Sequence, residues 1–122
     1  MECYFGSISL PEENEFQKTA VVSFSIPELG IRFKAPFDAL DKDHSDFASL
    51  LALLEFIDSN QKYFRNSAYQ MYCNNLKVVN QVNEREEIDN KYAILMEKAE
   101  GYKKKYRFSL DWVPSDNNPA TN

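Results

Sequence analysis

The sequence is poor in the residues that most often build metal centres and disulfide frameworks. It contains two cysteines, Cys3 and Cys73, and a single histidine, His44. The cysteines lie far apart and lack the spacing of a zinc or redox motif, which favours reduced thiols and a cytoplasmic location. His44 lies in a polar stretch without an evident nucleophilic partner, so an exposed loop residue is a better interpretation than a proton shuttle or a metal ligand.

Positive charge and long apolar runs are also scarce. The formal net charge of −5 argues against a protein whose main task is to wrap a phosphate backbone, although it leaves room for a local basic patch. The longest apolar run, residues 50–54, is too short to cross a bilayer, and no secretory segment is evident, so no membrane partner is expected. A length of 122 residues predicts one domain over residues 1–122.

Aromatic and β-branched residues, in contrast, are abundant and fall in short segments. Nine phenylalanines and seven tyrosines predict a core built largely from packed rings. Residues 2–9 and 18–26 have the pattern of strands, and Pro27-Glu-Leu-Gly30 predicts a tight hairpin into a third strand at 31–37. Two more strands are predicted at 69–73 and 106–113.

Three segments have the apolar spacing of helices: 47–57, 76–82 and 92–105. Ser45 or Asp43 is the expected N-cap of the first helix. Asn74 and Asn75 favour a tight turn before the second helix. The tail from Pro114 is polar, lacks a packing signal and is predicted to fray.

The element order is therefore β-β-β-α-β-α-α-β. Strands joined by a hairpin should be antiparallel, whereas strands joined through helices should add in parallel. The prediction is an α/β fold with a mixed five-stranded sheet, in which the first three strands are antiparallel and helices cover the faces.

Three segments resemble the ribonuclease H family. The run Leu76-Lys-Val-Val-Asn-Gln-Val-Asn83 is similar to the family's "Gly-Asp-Ser-x-Leu-Val-Val-Asn-Gln-Val-Asn-Gly". Residues 47–55 resemble the family's first helix, and residues 110–121 resemble its "x-x-Trp/His-Val-Pro-x-x-x-Asn-x-x-Ala-Asp" ending. The resemblance covers residues 40–122 and is weak over 1–37, where the usual glycine-rich first hairpin is missing. It implies a ribonuclease H-like fold.

The resemblance also implies an activity, cleavage of the RNA strand of an RNA–DNA hybrid by two metal ions about 4 Å apart. Such a pair needs several carboxylates, because Mg²⁺ prefers hard oxygen ligands. The family's four acidic positions fall on Phe5, Asp46, Asn74 and Thr121. Only Asp46 keeps a carboxylate, so we expect these positions to be vestiges of a lost site, with no resident metal and no two-metal catalysis.

The hypothesis that follows is a catalytically inactive ribonuclease H-like domain that acts by binding nucleic acid, another protein or a second copy of itself. The alternative is a divergent, Mg²⁺-dependent ribonuclease H that rebuilds its site with Asp46 and with carboxylates such as Glu2 or Asp111. Self-association through an exposed sheet edge is a third interpretation.

Three further groups are candidate sites. The basic group is Lys103, Lys104, Lys105 and Arg107. Interleaved with tyrosines, it could contact the phosphates of a nucleic acid or simply match the dipole of a helix carboxyl end. Cys73 could be a nucleophile, although a small buried hydrophobic residue is the more common role. The acidic residues at 84, 86, 87 and 89 could bind Ca²⁺, but their spacing does not match an EF-hand loop and favours a solvated surface.

Overall fold

A mixed five-stranded sheet forms the centre of the protein. The structure, a computed structural model, describes residues 1–9, 19–64 and 68–122; residue 18, predicted to begin the second strand, lies outside them. The strands are β1 (Glu2–Ser9), β2 (Thr19–Ile26), β3 (Ile31–Asp38), β4 (Tyr69–Cys73) and β5 (Phe108–Trp112). They lie in the order β3-β2-β1-β4-β5, with β1, β2 and β3 antiparallel and with β4 and β5 parallel to β1. The predicted fold class is confirmed.

The β2–β3 hairpin turns at the predicted segment. Pro27–Leu29 form one turn of 3₁₀ helix, and Gly30 follows in the left-handed region with a φ angle of 64°. Glycine adopts this conformation without steric cost. The Gly30 amide donates to the Pro27 carbonyl at 3.0 Å and closes the turn, which sets Ile31 opposite Ile26.

Three helices flank the sheet: α1 (Lys42–Ser59), α2 (Leu76–Val82) and α3 (Ala93–Lys105). α1 begins earlier than the sequence predicts, because its N-cap is Asp41 instead of Ser45 or Asp43. The Asp41 carboxylate accepts the His44 amide at 2.9 Å. His44 therefore lies in the first turn of α1, and its predicted loop position is wrong. In residues 1–9, 19–64 and 68–122, no helix has the length and apolar character that a bilayer span requires.

The hydrophobic core lies between the sheet and α1. Leu50, Leu54 and Ile57 of α1 belong to one buried cluster with Phe5 of β1 and Met71 of β4. The spacing of the three α1 residues places them on one side of the helix, as its sequence pattern predicts. Both cysteines are free thiols buried in the same cluster.

The carboxyl-terminal tail packs against the sheet, which corrects the prediction that it frays from Pro114. Asn118 and Ala120 are only 0% and 2% exposed. Asn118 Nδ2 donates to the Phe5 carbonyl at 2.9 Å, and the Ser23 hydroxyl donates to the Ala120 carbonyl at 2.7 Å. Amide and hydroxyl groups thus hold the tail, and such bonds leave no hydrophobic pattern in the sequence.

Gly6 allows the tail to approach β1 closely. A Cβ atom at this position would lie 2.7 Å from Thr121 Cγ2, 3.2 Å from Asn118 Nδ2 and 3.3 Å from Asn74 Oδ1. The first of these distances is shorter than close-packed side chains tolerate. The tail and the end of β4 can therefore meet over the middle of β1 only because residue 6 is a glycine.

Gly6→Ala should destabilise the protein by about 1–3 kcal/mol, because the added methyl group forces the tail away from β1. Urea unfolding measures the loss. Gly101→Ala is the matched control: a Cβ atom there meets nothing within 4 Å, so alanine in α3 should stabilise the protein by up to about 1 kcal/mol. Thr121→Ser removes the clashing methyl group and should restore part of the stability of Gly6→Ala. Equal losses in the two glycine variants would contradict the close approach.

Candidate functional site

The four positions that the sequence predicts as counterparts of the family's acidic residues lie in the middle of β1, near the amino end of α1, just after β4 and in the carboxyl-terminal tail. Asp46 comes from the first turns of α1 and is 1% exposed. Phe5 lies on β1 with its ring fully buried in the core. Asn74 directly follows β4, and Thr121 belongs to the packed tail. Asp46 is the single acidic group of the four, so its surroundings decide what this region can hold.

Both oxygen atoms of the Asp46 carboxylate accept hydrogen bonds from within the protein. Its Oδ1 atom accepts from the Ser7 amide at 2.8 Å and from the Ser7 hydroxyl at 2.7 Å. Its Oδ2 atom accepts from Asn75 Nδ2 at 2.8 Å. Three donors compensate the buried carboxylate for its lost hydration. The oxygen atoms that a metal ion would need are engaged in these bonds.

The ammonium group of Lys42 lies beside the Asp46 carboxylate. Lys42 Nζ is 3.3 Å from Asp46 Oδ1 and 3.0 Å from Ser7 Oγ, and it also donates to the Ser7 carbonyl. Lys42 precedes Asp46 by one helical turn, so both side chains project from the same side of α1. The lysine side chain remains 46% exposed, which limits what the pair adds to stability, yet it balances the charge of the carboxylate.

Asp43 is a second carboxylate at this site. Asn75 Nδ2 donates to Asp43 Oδ1 at 2.9 Å as well as to Asp46 Oδ2 at 2.8 Å, so one amide group bridges the two acids. Lys77 Nζ lies 3.4 Å from Asp43 Oδ2. Asn75 Oδ1 also accepts the Val78 amide at 3.2 Å and caps α2. The bridge between the acids is therefore anchored to a helix end.

Asn74 and Thr121 both bond to Asn118. Asn118 Nδ2 donates to Asn74 Oδ1 at 2.9 Å, and the Thr121 hydroxyl donates to the Asn118 carbonyl at 3.3 Å. Trp112 Nε1 donates to the Asn74 carbonyl at 3.2 Å. Two of the four predicted positions thus hold the end of β4 against the tail through neutral hydrogen bonds, while Asp46 is bonded to other groups.

The residues at this site do not fit a pair of Mg²⁺ ions. Two divalent ions need several carboxylate oxygens that can point at them. Both oxygens of Asp46 accept protein donors, Asp43 is bonded to Asn75 and Lys77, and Lys42 brings a competing positive charge. Across the described part of the chain, no three His, Cys, Asp or Glu side chains converge as metal ligands.

Glu2 and Asp111, the other carboxylates predicted for a rebuilt site, lie on the wrong face of the sheet. Successive side chains of a strand alternate between its faces, and the Ser7 side chain points to Asp46. Glu2 is an odd number of positions from Ser7 on β1, so it projects to the opposite face. Asp111 lies directly opposite Tyr72, which shares that opposite face. Neither carboxylate can reach Asp46.

Two side chains of the predicted basic group at the end of α3 have a bonding partner within the protein. Lys103 Nζ donates to a backbone carbonyl at the end of α2 at 2.9 Å, and Lys105 Nζ lies 2.6 Å from Asp58 Oδ1. Lys104 and Arg107 are exposed. Because Asp58 lies near the carboxyl end of α1, about 18 Å of helix separates this basic group from the Asp46 site.

Neither Cys73 nor His44 is arranged for nucleophilic chemistry. Burial, with a smaller contribution from the Asp46 carboxylate, raises the pKa of the Cys73 thiol to about 12. The thiol is therefore protonated at neutral pH, as expected of a small buried side chain. His44 packs its ring against Phe37 and Tyr92.

Sequence reasoning missed the three residues that satisfy Asp46, namely Ser7, Lys42 and Asn75. Lys42 carried a detectable signal, because a lysine four residues before an aspartate lies beside it on a helix. Ser7 and Asn75 carried none. They belong to β1 and to the end of β4, which meet α1 only in the folded sheet.

Solved ribonuclease H structures share this architecture over nearly the whole chain. LC11 ribonuclease H1, isolated from compost and solved in complex with an RNA/DNA hybrid, gives a TM-score of 0.74 at 11% identity, over 96% of this chain and 88% of that one. Ribonuclease H1 of the archaeon Halobacterium salinarum NRC-1 gives 0.74 at 13% identity, over 98% and 89%. The N-terminal ribonuclease H domain of a Mycobacterium tuberculosis protein gives 0.71 at 13%, over 96% and 85%. The chain has the ribonuclease H-like fold.

No protein-family model and no curated protein sequence matches the chain. The predicted resemblance to ribonuclease H is confirmed by the structural neighbours at the level of the fold. Because unrelated activities share folds, the activity of this ribonuclease H-like domain has to be argued from its site.

Asp46→Ala should destabilise the ribonuclease H-like domain by about 2–4 kcal/mol, because it removes the carboxylate that accepts from the buried amide and hydroxyl groups of Ser7. Urea unfolding without added metal measures the loss. Removing a metal-binding carboxylate from a working active site tends to have the opposite effect, since catalytic sites often reduce stability. Asp43→Ala changes the more exposed of the two acids and should lower the free energy of unfolding by less. An Asp46→Ala chain as stable as the wild type would contradict a structural role for this carboxylate.

The Asp41 carboxylate should contribute free energy of unfolding that is lost at acidic pH. Burial raises the pKa of this carboxyl group, but hydrogen bonds from Lys91 and Tyr92 outweigh burial and hold the pKa well below its usual range. Because the folded-state pKa is depressed, the stabilisation is fully present above the usual value of 3.8 and is lost as the pH falls through the folded-state pKa.

Asp41→Asn should therefore flatten the decline in unfolding free energy below about pH 4. Urea unfolding at a series of acidic pH values measures the slope. Asp116→Asn, at an exposed carboxylate of the tail, is the control and should keep the wild-type slope. If the unfolding free energies of the wild type and Asp41→Asn declined equally with pH, Asp41 would not contribute to acid sensitivity.

Proposed function

We propose that this chain is a catalytically inactive ribonuclease H-like domain that acts by binding, with nucleic acid as its partner. The observation that carries the proposal is the hydrogen-bonded Asp46 carboxylate, which accepts from Ser7 and Asn75 and is balanced by Lys42. Two-metal cleavage requires carboxylate oxygens that can bind divalent ions. Here the one acidic group among the four vestigial positions serves as a structural acceptor.

Support for a nucleic acid partner comes from the fold and from the basic end of α3. One of the structures with the same fold is in complex with an RNA/DNA hybrid. In this chain, Lys104 and Arg107 are exposed near Tyr102 and Tyr106, whose rings stack with centroids 6.4 Å apart. Exposed cations next to aromatic rings can contact phosphates and stack on bases. With a net charge of −5, binding would depend on this local group and therefore on salt concentration.

The chain should bind a fluorescent RNA–DNA hybrid without cutting it. Anisotropy at several salt concentrations measures binding, and gel electrophoresis after incubation with Mg²⁺ or Mn²⁺ measures cleavage. Lys104→Gln and Arg107→Gln should each weaken binding and lower the slope of log affinity against log salt by about one. Lys34→Gln is the control, because it makes the same charge change on β3, at an edge of the sheet.

Two outcomes would contradict the binding proposal. Equal losses of affinity for the hybrid in all three variants would show that the end of α3 is not the binding surface. No retention of the hybrid at low salt would remove nucleic acid as the partner, because non-specific phosphate contacts are strongest there.

The competing function is a divergent, Mg²⁺-dependent ribonuclease H that uses Asp43 and Asp46. The observation in its favour is that oxygens of both carboxylates lie within 2.9 Å of the same Asn75 amide nitrogen, so two acids are close together. Cleavage of the hybrid in the presence of Mn²⁺, abolished in Asp46→Ala, would establish this function and overturn the inactive one.

A protein partner or a second copy of the chain is the remaining alternative. β3 is an edge strand of the open sheet and most of its residues are exposed, so its outer backbone groups could pair with another strand. Sedimentation velocity over a range of concentrations tests this possibility. A stable dimer that does not bind the hybrid would favour self-association over nucleic acid binding.

A further inference from the structure

A groove with a volume of about 520 Å³ lies between α1 and α3. Six residues line it: Leu51 and Glu55 of α1, and Lys98, Gly101, Tyr102 and Lys105 of α3. The volume is in the range of sites that hold small ligands. Lys105 precedes the exposed Arg107 by two residues and follows the exposed Lys104, so the groove ends close to the proposed nucleic acid surface.

Gly101 leaves open space in this groove, and the fold itself does not require a glycine there. Glycine destabilises the interior of a helix relative to alanine. Among the described residues, Gly30 is the glycine with a positive φ angle, so Gly101 does not supply a left-handed conformation. A Cβ atom at Gly101 would meet nothing within 4 Å, so no close contact requires its absence. What the missing side chain provides is room for a group from outside the chain.

The groove presents an aliphatic and an aromatic surface to such a group. Leu51 and Tyr102 are partly buried and pack against the hydrophobic core. The Tyr102 ring also lies nearly parallel to the Tyr106 ring, at an angle of 19°. These contacts hold the Tyr102 ring in place, so it can serve as a platform on which a flat nucleobase stacks.

Cations outnumber carboxylates in the lining, which favours a ligand with a phosphate. Lys98 and Lys105 lie two helical turns apart, about 10 Å along α3, and Glu55 is the acidic residue among the described lining. Within the described part of the chain, Lys98 has no carboxylate at ion-pair distance. Lys105 Nζ lies 2.6 Å from Asp58 Oδ1, but an ammonium group has two further N–H donors.

Glu55 narrows the class of ligand further. An aliphatic acid would match the lysines and Leu51, but it would bring no donor to the Glu55 carboxylate. A nucleotide whose base has an exocyclic amino group brings a phosphate, a flat ring and that donor together. Carboxylates accept hydrogen bonds from the N4 amino group of cytosine, whereas uracil has a carbonyl oxygen at the same place.

We propose that this groove binds one unpaired nucleotide of a nucleic acid strand, with its base on Tyr102, its amino group at Glu55 and its phosphate at Lys98. The proposal rests on the proposed nucleic acid function and deepens it by naming a single-stranded segment as the ligand. Paired bases are excluded, because their faces are stacked and their Watson–Crick edges are already paired.

Fluorescence anisotropy with a labelled short oligocytidylate RNA at neutral pH tests the proposal. The comparison probes are oligouridylate of the same length and a blunt RNA–DNA hybrid. We expect oligocytidylate to bind about three- to tenfold more tightly than oligouridylate. Glu55→Met should abolish this preference, whereas Glu97→Met, at an exposed α3 residue outside the lining, should keep it.

Gly101→Leu fills the groove and should weaken oligocytidylate binding by at least about fivefold, with the affinity for the blunt hybrid unchanged. Leucine favours a helix more than glycine does, so this variant should resist urea at least as well as the wild type. Ala93→Leu adds the same side chain at an exposed α3 residue outside the lining and should bind like the wild type.

Lys98→Gln should lower the slope of log affinity against log salt by about one for oligocytidylate but not for the hybrid. Equal slopes for oligocytidylate in Lys98→Gln and the wild type would show that no phosphate binds at Lys98.

Failure of the groove can be distinguished from failure of the proposed function. Retention of the hybrid together with equal binding of oligocytidylate and oligouridylate, or with full oligocytidylate binding by Gly101→Leu, would overturn the groove alone. Retention of none of the three nucleic acids would overturn both. Cytidine 5′-monophosphate is the last probe: binding as tight as that of oligocytidylate would make a free nucleotide the ligand and would overturn the assignment to a strand.

Discussion

The hydrogen-bonded carboxylate of Asp46 connects three parts of this ribonuclease H-like domain at one point. Ser7 of β1, Lys42 of α1 and Asn75 at the start of α2 all direct donors toward it. A buried carboxylate is tolerated only when such donors and a counter-charge surround it. The amino end of α1, the middle of β1 and the end of β4 are therefore held in one arrangement by the group that would otherwise be the best candidate for a metal ligand.

Neutral hydrogen bonds complete the region on the side of the tail. Asn118 bonds to Asn74 and to the Phe5 carbonyl, and Gly6 leaves the space in which Thr121 packs. Phe5, Asn74 and Thr121 thus serve in packing and hydrogen bonding in this structure. The features suited to an external partner lie elsewhere, in the exposed cations at the carboxyl end of α3.

Apolar periodicity predicted the elements well and their polar boundaries less well. The spacing of residues such as Leu50 and Leu54 predicts α1, and the alternation of apolar and polar side chains predicts β1 to β3. The cap at Asp41 was not predicted, because several polar residues nearby could accept the same helix amides. The packed tail was not predicted either, since Asn118 is held by hydrogen bonds to the Phe5 carbonyl and to Asn74 Oδ1, and such bonds leave no apolar pattern in the sequence.

The sequence by itself determined the fold class, through the spacing of apolar residues, and the neutral side chains of Phe5, Asn74 and Thr121, because residue identity does not depend on folding. Only the tertiary structure decided that the remaining acid, Asp46, is already occupied by protein donors. It also decided that Glu2 and Asp111 face away from it. The physical reason is that Ser7, Asp46 and Asn75 are distant in sequence, and strand pairing and helix packing bring donors of Ser7 and Asn75 within 3 Å of the Asp46 carboxylate.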